Sequence, residues 1–341
     1  MKELIKPRRL EKGDLVATVS PCGGWAGDPE IKWKYELGAS RLRELGLSVI
    51  AAPNSMRGSE YLSKNPRARA EDIMWSFENK DVRAIIANVG GNDSIKLIPY
   101  IDSRVISENP KIFIGYSDVM NLHLLCYKSG LSSFYGDNLL TNIAEQTGWH
   151  KYSKYRFVKT LFDASPIGTV PPSDEWTYEP VDYHDPDKKR NYYTNDGYQI
   201  IQGGGRVSGR LIGGHTGITE LKGSPIELEP DDFDGAILFV EDIPEFFDEA
   251  GITAYFEYLG QNGILQRING VIIGKSNDNE PFSRRAEIIR QIVSGKYGSN
   301  MPIIYGLNFG HSSPVCVLPY GAFAELDCEK KEFSIIESGV N

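Results

Sequence analysis

The stretch Lys111-Ile112-Phe113-Ile114-Gly115-Tyr116-Ser117-Asp118 decides the fold, because an apolar run ends abruptly in a glycine, a serine and an acid. The apolar residues at 112–114 predict a buried parallel strand, and Asp118 to Leu125 predict the helix that follows it. A serine at such a sharp strand-to-helix turn lies beside the free N–H groups of the helix, as in a nucleophile elbow. Gly115 would let the backbone turn tightly without a Cβ clash.

This motif alone does not establish a nucleophile. The usual elbow has a second glycine two residues after the serine, where this chain has Val119. A Ser-Asp pair at the start of a helix is more often an N-cap. The role of Ser117 therefore depends on whether the chain also supplies a base, an acid that orients the base, and donors for an oxyanion.

Length and composition limit the possible functions. For 341 residues we expect two domains, and 40% hydrophobic and 24% charged residues are ordinary for a soluble globular protein. A formal net charge of −9 argues against a nucleic acid polymer as a partner. No apolar run approaches the ~18 residues that span a bilayer, and the N-terminus lacks a secretory h-region, so we expect no membrane association. Four cysteines without Cys-x-x-Cys spacing favour a reduced, cytoplasmic protein.

The first half of the chain alternates strand and helix patterns. Strands are predicted at 13–20, 48–51, 83–89, 112–114 and 132–135, and helices at 31–45, 68–78, 118–125 and 153–163. Such alternation implies right-handed crossovers and a parallel sheet covered on both faces. We therefore predict that residues 1–164 form an α/β domain that carries Ser117.

Residues 165–198 have a different character, with five prolines, many acids and no hydrophobic periodicity. They predict a domain crossing, and two interpretations remain open: a plain linker, or a flap over the site, which the aromatic residues favour. Residues 199–341 predict a smaller, mixed β/α C-terminal domain. Its predicted strands are at 199–201, 206–212, 236–240, 270–274, 303–305, 315–318, 322–326 and 333–336, and its helices at 249–259 and 282–293.

Two of the five histidines are candidate bases. His215 and His311 each follow a glycine in a turn-like context, and His311 lies between two predicted strands, a common position for catalytic groups. Glu241 ends a five-residue apolar strand, which is where ligands gather in α/β proteins. Asp242 follows directly, and side-chain alternation alone does not decide which of the two acids faces the site.

Donors for an oxyanion could come from two turns. Gly90-Gly91-Asn92 follows the strand directly before the Ser117 strand. If the two strands are parallel neighbours, the N–H groups of Gly91 and Asp118 could converge on one carbonyl oxygen. A phosphate loop is the competing interpretation, but two adjacent glycines match neither Gly-x-Gly-x-x-Gly nor a Walker loop. No His-x-x-x-His or cysteine cluster exists, so we expect neither a metal nor a cofactor.

Taken together, these motifs resemble the LD-carboxypeptidase family of serine peptidases, and more narrowly its microcin C immunity (MccF-like) branch. The resemblance runs from about Gly13 to Leu326. It rests on the order and spacing of Gly90-Gly91, Gly115-Tyr116-Ser117-Asp118, Phe134-Tyr135-Gly136, Gly213-Gly214, Phe239-Val240-Glu241-Asp242 and Gly310-His311.

The resemblance implies a catalytic triad of Ser117 as nucleophile, Glu241 as acid and His311 as base, with Gly91 and Asp118 as oxyanion donors. It also implies a site between the two domains and a homodimer. The expected substrate is a small peptide or a peptidyl- or aminoacyl-nucleotide of the processed microcin C type. The L,D-amide of murein tetrapeptide is the alternative, and a binding protein without turnover is the alternative of another class.

The chain departs from the family pattern at two positions that concern substrate contacts. His215 replaces a common asparagine, and Asp137 replaces a common proline. Expected substrate contacts are Gly90, Asn92, His215 and Trp176, the last as a platform for a nucleobase.

Overall fold

The computed structural model describes residues 3–341, and its strands form two large sheets and a small two-stranded one. The predicted α/β fold class is confirmed. The strands are β1 (Leu15–Val19), β2 (Ser48–Ala51), β3 (Val82–Ala87), β4 (Ile112–Gly115), β5 (Phe134–Tyr135), β6 (Gly168–Thr169), β7 (Glu175–Trp176), β8 (Tyr193–Thr194), β9 (Gln199–Gln202), β10 (Arg206–His215), β11 (Ile237–Glu241), β12 (Gly270–Gly274), β13 (Ile303–Leu307), β14 (Leu318–Pro319), β15 (Phe323–Asp327) and β16 (Glu332–Ile335).

Some helices begin at a start signal that is visible in the sequence. Pro66 occupies the first turn of its helix, and the Asp248 carboxylate caps another by accepting the Gly251 N–H at 2.8 Å. The α-helices are α1 (Lys32–Glu44), α2 (Ser59–Lys64), α3 (Pro66–Glu78), α4 (Ser103–Glu108), α5 (Met120–Lys128), α6 (Lys151–Leu161), α7 (Glu249–Gln261) and α8 (Ser283–Arg290). No helix within residues 3–341 combines the length and the apolar character needed to cross a bilayer.

The first sheet has six strands in the order β14-β5-β4-β3-β1-β2, and only the β14–β5 pair is antiparallel. All four residues of β4 are buried, as expected for a strand covered on both faces. Strands β3 and β4 are parallel neighbours, so the turns after them open at one edge of the sheet. That predicted relationship is confirmed.

The second sheet has eight strands in the order β6-β16-β15-β10-β11-β12-β13-β9. Its central strands β10 to β13 are parallel, and the outer ones are antiparallel. The prediction of a turn at Gly213-Gly214-His215 was wrong, because these residues end β10 and pair with β11. A Cβ on Gly213 would overlap the Phe239 carbonyl, so the glycines serve close strand packing.

Two further predictions at the C-terminal end need correction. The expected strand at 315–318 is reduced to Leu318–Pro319, because the Val315 and Cys316 amides bond to Ser153 and Asn308 instead. The helix expected over 282–293 is α-helical only to Arg290 and continues as a π-helix, Gln291–Lys296.

Residues 165–198 add one strand to the second sheet and form the small two-stranded sheet. β6 adds to the second sheet beside β16, and β7 and β8 pair with each other. Thr177 forms an antiparallel bridge with Ser313, two residues after His311. The segment therefore packs against the loop that carries His311. The domain boundaries at 164 and 198 stay a prediction.

Candidate active site

Ser117 lies on a strained turn between β4 and α5. Its φ is +66°, in the left-handed region that non-glycine residues seldom occupy, and a single 3-10 turn, Ser117–Val119, leads into the helix. The backbone N–H of Ser117 donates to the Tyr135 hydroxyl at 3.1 Å. This geometry is that of a nucleophile elbow, with the serine presented at the sheet edge.

Two glycines make room at the elbow. A Cβ on Gly90 would lie 2.8 Å from the Ser117 Cβ, so the β3 turn can approach the serine only because residue 90 lacks a side chain. A Cβ on Gly115 would lie 2.8 Å from Val119 Cγ1. The left-handed residue is thus Ser117 itself, and Gly115 accommodates the valine that stands where the usual elbow has its second glycine.

Ser117, His311 and Glu241 form one chain of polar contacts. His311 Nε2 lies 3.1 Å from Ser117 Oγ, and His311 Nδ1 lies 2.7 Å from Glu241 Oε2. Because a carboxylate only accepts, Nδ1 carries the proton and Nε2 is free to accept one from the serine. Gly310 has a φ of +93°, and a Cβ there would overlap the Glu241 carboxylate, so a glycine is required before His311.

Electrostatics couple the acid and the base. Burial favours neutral imidazole, but the charge and hydrogen bond of Glu241 outweigh it and raise the pKa of His311 above 6.5. Burial also opposes ionisation of Glu241, yet the charge of His311 and hydrogen bonds from His311 and Tyr135 lower the pKa of that carboxyl. The ionised acid therefore faces an imidazole whose protonated form it stabilises.

The structure distinguishes the two adjacent acids. Glu241 is the last residue of β11 and faces His311, whereas the Asp242 carboxylate accepts the Thr216 N–H at 3.1 Å. His215 Nδ1 lies 3.8 Å from Asp242 Oδ2 and accepts the Gly217 N–H at 3.0 Å. Of the two candidate bases, only His311 contacts Ser117 among the described residues.

Ser117 and His311 open into a cavity of about 310 Å³ whose lining includes Gly91, Asn92 and Asp118. The Asp118 carboxylate accepts the N–H groups of Asp93 and Ser94 at 2.9 and 2.8 Å, which ties the β3 turn to the elbow. The same cavity is lined by Ile95, Asn121, His215, Thr216, Gly217, Glu220, Leu221, Asp242, Ile243 and Phe246. Gly91 and Asp118, the two residues predicted to supply the oxyanion donors, thus line the same cavity.

Of the four expected substrate contacts, two line the cavity and two do not. Asn92 and His215 line the cavity, and Gly90 packs behind Ser117. The His215 Nε2 is buried without a hydrogen-bond partner among residues 3–341. Trp176 is absent from the cavity lining, and its ring is covered by the Lys275 ammonium 4.2 Å from the ring centroid.

Sequence reasoning assigned no role to Tyr135, although its hydroxyl contacts both Ser117 and Glu241. Tyr135 ends β5, which lies beside β4 in parallel. The position of Tyr135 could have indicated a role. A polar residue at the end of a strand that lies parallel to the nucleophile's strand is found at the same edge of the sheet as the nucleophile.

Two family models match the chain in sequence order. The LD-carboxypeptidase N-terminal domain matches residues 16–136, and the LD-carboxypeptidase C-terminal domain matches residues 208–326. The first match contains Ser117, and the second contains Glu241 and His311. This chain belongs to the LD-carboxypeptidase family. The expected resemblance, including its MccF-like branch, is confirmed, and the family assignment makes the chain a peptidase.

The similar proteins within the LD-carboxypeptidase family include one named as a self-immunity protein and one named as a murein peptide carboxypeptidase. The chain is 30% identical to the microcin C7 self-immunity protein MccF of Escherichia coli, over 90% of this chain and 89% of that protein. It is 28% identical to a Bacillus subtilis protein named "Probable murein peptide carboxypeptidase", over 98% and 95%. The solved structure of MccF with aspartyl sulfamoyl adenosine superposes with a TM-score of 0.86 at 26% identity, over 99% of this chain and 100% of that one.

Proposed function

We propose that this chain is a serine-type carboxypeptidase that hydrolyses the amide bond between an aminoacyl group and a nucleotide. The observation that carries the proposal is the pair of contacts from one imidazole, 3.1 Å to Ser117 Oγ and 2.7 Å to Glu241 Oε2. A serine hydroxyl is a weak nucleophile at neutral pH unless a base accepts its proton. His311 is placed to be that base, and Glu241 to hold its tautomer and stabilise its charge.

In the acylation step, Ser117 Oγ attacks the carbonyl carbon while its proton moves to His311 Nε2. The negative charge that develops on the carbonyl oxygen is stabilised by the amides of Gly91 and Asp118, each worth roughly 2.7–4 kcal/mol in comparable sites. The tetrahedral intermediate then breaks the C–N bond, and the His311 imidazolium gives its proton to the leaving nitrogen.

In the deacylation step, water enters the cavity and loses a proton to His311 Nε2 as it attacks the ester carbonyl. The second tetrahedral intermediate expels Ser117 Oγ, which regains the proton from His311. The products are a carboxylic acid and an amine-bearing nucleotide, and the enzyme returns to its starting state. No step needs a group beyond this chain's side chains, its amides and water.

The choice of a nucleotide substrate follows from the similarity to MccF, which has been solved with aspartyl sulfamoyl adenosine. A cavity of about 310 Å³ is near the lower end of the range for small-molecule sites. Asn92 and His215 supply polar contacts in it, and the unpartnered Nε2 of His215 is a candidate partner for the substrate. Stacking of a nucleobase on Trp176 remains a prediction, since the ring lies outside the cavity lining.

The L,D-amide of murein tetrapeptide is the second candidate, favoured by the similarity to the Bacillus subtilis protein. Mass spectrometry separates the candidates after incubation with aspartyl sulfamoyl adenosine and, separately, with murein tetrapeptide. Release of aspartate from the first compound supports our choice. Release of terminal D-Ala alone would replace it with the murein activity.

The Ser117→Ala variant tests turnover itself. We expect a loss on the order of 10⁶-fold in kcat, as for other triads. Ser63→Ala is the matched control, because Ser63 is an exposed helix residue remote from the site, and we expect it to retain full activity. Binding of either compound without turnover by the unmutated protein would instead make the chain a binding protein.

We also expect the protein to act in the cytoplasm and as a homodimer. The cytoplasmic location can be checked by cell fractionation. The dimer can be checked by light scattering coupled to size exclusion, in which a monomer mass would contradict the expectation.

A further inference from the structure

The hydroxyl of Tyr135 contacts both ends of the proposed triad. It donates to Glu241 Oε1 and accepts the Ser117 backbone N–H at 3.1 Å. The other oxygen of Glu241 contacts His311, which in turn contacts Ser117 Oγ. The polar contacts therefore close a ring that runs from the Ser117 backbone through Tyr135, Glu241 and His311 to the Ser117 side chain.

Tyr135 is held rigidly at this place. It is fully buried and pairs with Gly115 on one side and Leu318 on the other, so both neighbouring strands fix its backbone. Its ring packs against Phe239 with centroids 5.4 Å apart and against Tyr116 at 6.4 Å. A side chain fixed at backbone and ring holds its hydroxyl in one position.

Both groups that Tyr135 contacts need a partner. Glu241 is 2% exposed, and a buried carboxylate requires donors on its oxygens. His311 supplies a donor to Oε2 and Tyr135 supplies one to Oε1. The Ser117 amide belongs to a left-handed residue, and the tyrosine oxygen accepts it.

We propose that Tyr135 is a positioning residue, which holds the Ser117 elbow and the Glu241 carboxylate in register so that His311 can transfer the proton. The inference rests on the proposed function. Tyr135 does not line the cavity and is not expected to touch the substrate. Burial and the neighbouring Glu241 charge raise the pKa of its hydroxyl well above the usual range, so it stays a donor throughout the working range of pH.

Tyr135→Phe keeps the ring and removes only the hydroxyl. We expect kcat to fall by about 10²-fold, the usual consequence of a small misplacement of reacting groups, while KM stays within about twofold. Without this donor the carboxylate is more basic, so it stabilises the His311 imidazolium more strongly. The acid limb of the kcat/KM profile should therefore move to higher pH. The other charged groups that act on His311, Asp242 and Glu245, are unchanged in the variant.

Tyr198→Phe is the matched control. Its hydroxyl is likewise buried and donates to the Val170 carbonyl at 2.7 Å, away from the triad. We expect this variant to lose stability without a shift of the acid limb. If Tyr135→Phe left both kcat and the acid limb of the kcat/KM profile unchanged, the proposal would be overturned. A loss of kcat without a shift of the acid limb would also overturn it, because that result indicates a purely structural role.

A measurement on the unmutated protein covers the case in which Tyr135→Phe does not fold. In ¹⁵N-labelled protein, we expect a downfield hydroxyl proton that is not split by nitrogen and disappears in Glu241→Gln. Its absence would overturn the proposal. Ser117→Ala distinguishes the two levels of inference, because full turnover in that variant rejects the proposed function itself rather than the role of Tyr135.

Discussion

His311 Nε2 lies 3.1 Å from Ser117 Oγ, although 194 positions separate the two residues in the sequence. Ser117 follows β4 of the six-stranded sheet, and His311 follows β13 of the eight-stranded sheet. The contact therefore exists only when the two sheets are packed together. Any proton transfer between these residues depends on that packing.

Activity should depend on the ionisation of His311. Since Glu241 raises the pKa of His311 above 6.5, the neutral base forms only above that pH, and kcat/KM should rise with a midpoint above 6.5. Glu241→Gln removes the charge that stabilises the imidazolium, so the midpoint should move to lower pH as kcat falls. The exposed Glu60→Gln serves as control and should leave the profile unchanged. A midpoint that does not respond to Glu241→Gln would reject the coupling.

The same ion pair should contribute to stability only within a limited range of pH. The raised pKa of His311 gives stability that is full below 6.5 and lost as pH rises through the folded value. The lowered pKa of Glu241 gives stability that is present above 4.5 and lost as pH falls through the folded value. Urea unfolding of the unmutated protein and Glu241→Gln should therefore differ most between these limits, and a constant difference from pH 4 to pH 9 would contradict this.

Gly310→Ala should damage the site locally. A Cβ at this left-handed position would overlap the Glu241 carboxylate, so we expect a drop in kcat of about 10²-fold. Gly298 also has a positive φ, +66°, but a Cβ there meets nothing within 4 Å. Gly298→Ala should cost about 1–2 kcal/mol in free energy of unfolding and leave kcat unchanged. Equal kcat values for the two variants would show that the crowding is unimportant.

Asp118→Asn should loosen the link between the two turns. One carboxylate oxygen of Asp118 accepts the backbone N–H groups of Asp93 and Ser94. In the asparagine variant these two N–H groups would face either an NH₂ group, which cannot accept, or an uncharged amide oxygen. Hydrogen bonds to a charged group are worth about 1.5–3 kcal/mol each. We expect lower stability and a reduced kcat, because the Gly91 amide moves relative to the elbow. Asp102→Asn, at an exposed helix cap, is the control for the charge change. Unaltered kcat in Asp118→Asn would contradict the proposed link.

Residues 165–198 should contribute to the stability of the protein through one buried ion pair. Arg190 pairs with Glu145, the two side chains are 4% and 2% exposed, and Arg190 also donates to Ser313 Oγ at 3.1 Å. Removing one partner of such a pair costs about 3–5 kcal/mol, so Arg190→Ala should lower the free energy of unfolding by that order. Arg284→Ala breaks an exposed pair with Glu249 and should cost at most about 1 kcal/mol. If chemical denaturation gave similar losses of unfolding free energy for the two variants, the buried Arg190–Glu145 pair would not have the proposed stabilising role.

Local patterns predicted much of the fold because they carry their own physical signals. The apolar run at 112–114 and the helical spacing of 68–78 identify β4 and α3 without tertiary information. Short elements such as β7 and β8 have no such signal, since two residues cannot show a period. The turn expected at Gly213-Gly214 failed because glycine indicates close packing as well as turns.

The candidate site shows the same division. The glycine before His311 and the acid at the end of an apolar strand were visible in the sequence. In the structure, His311 contacts Ser117 and Glu241 contacts His311. Alternation could not separate Glu241 from Asp242, because that choice depends on how β11 faces β13. The role of Tyr135 needed the order of strands in the sheet, which no single stretch contains.

The most direct test of the central claim is covalent capture of the nucleophile. A fluorophosphonate reacts with a serine whose hydroxyl is activated by a neighbouring base, and peptide mass mapping then locates the adduct. We predict a single adduct on Ser117, with a rate that falls by at least about 10²-fold in His311→Ala. An adduct elsewhere, or an equal rate on Ser117 in His311→Ala, would contradict the account.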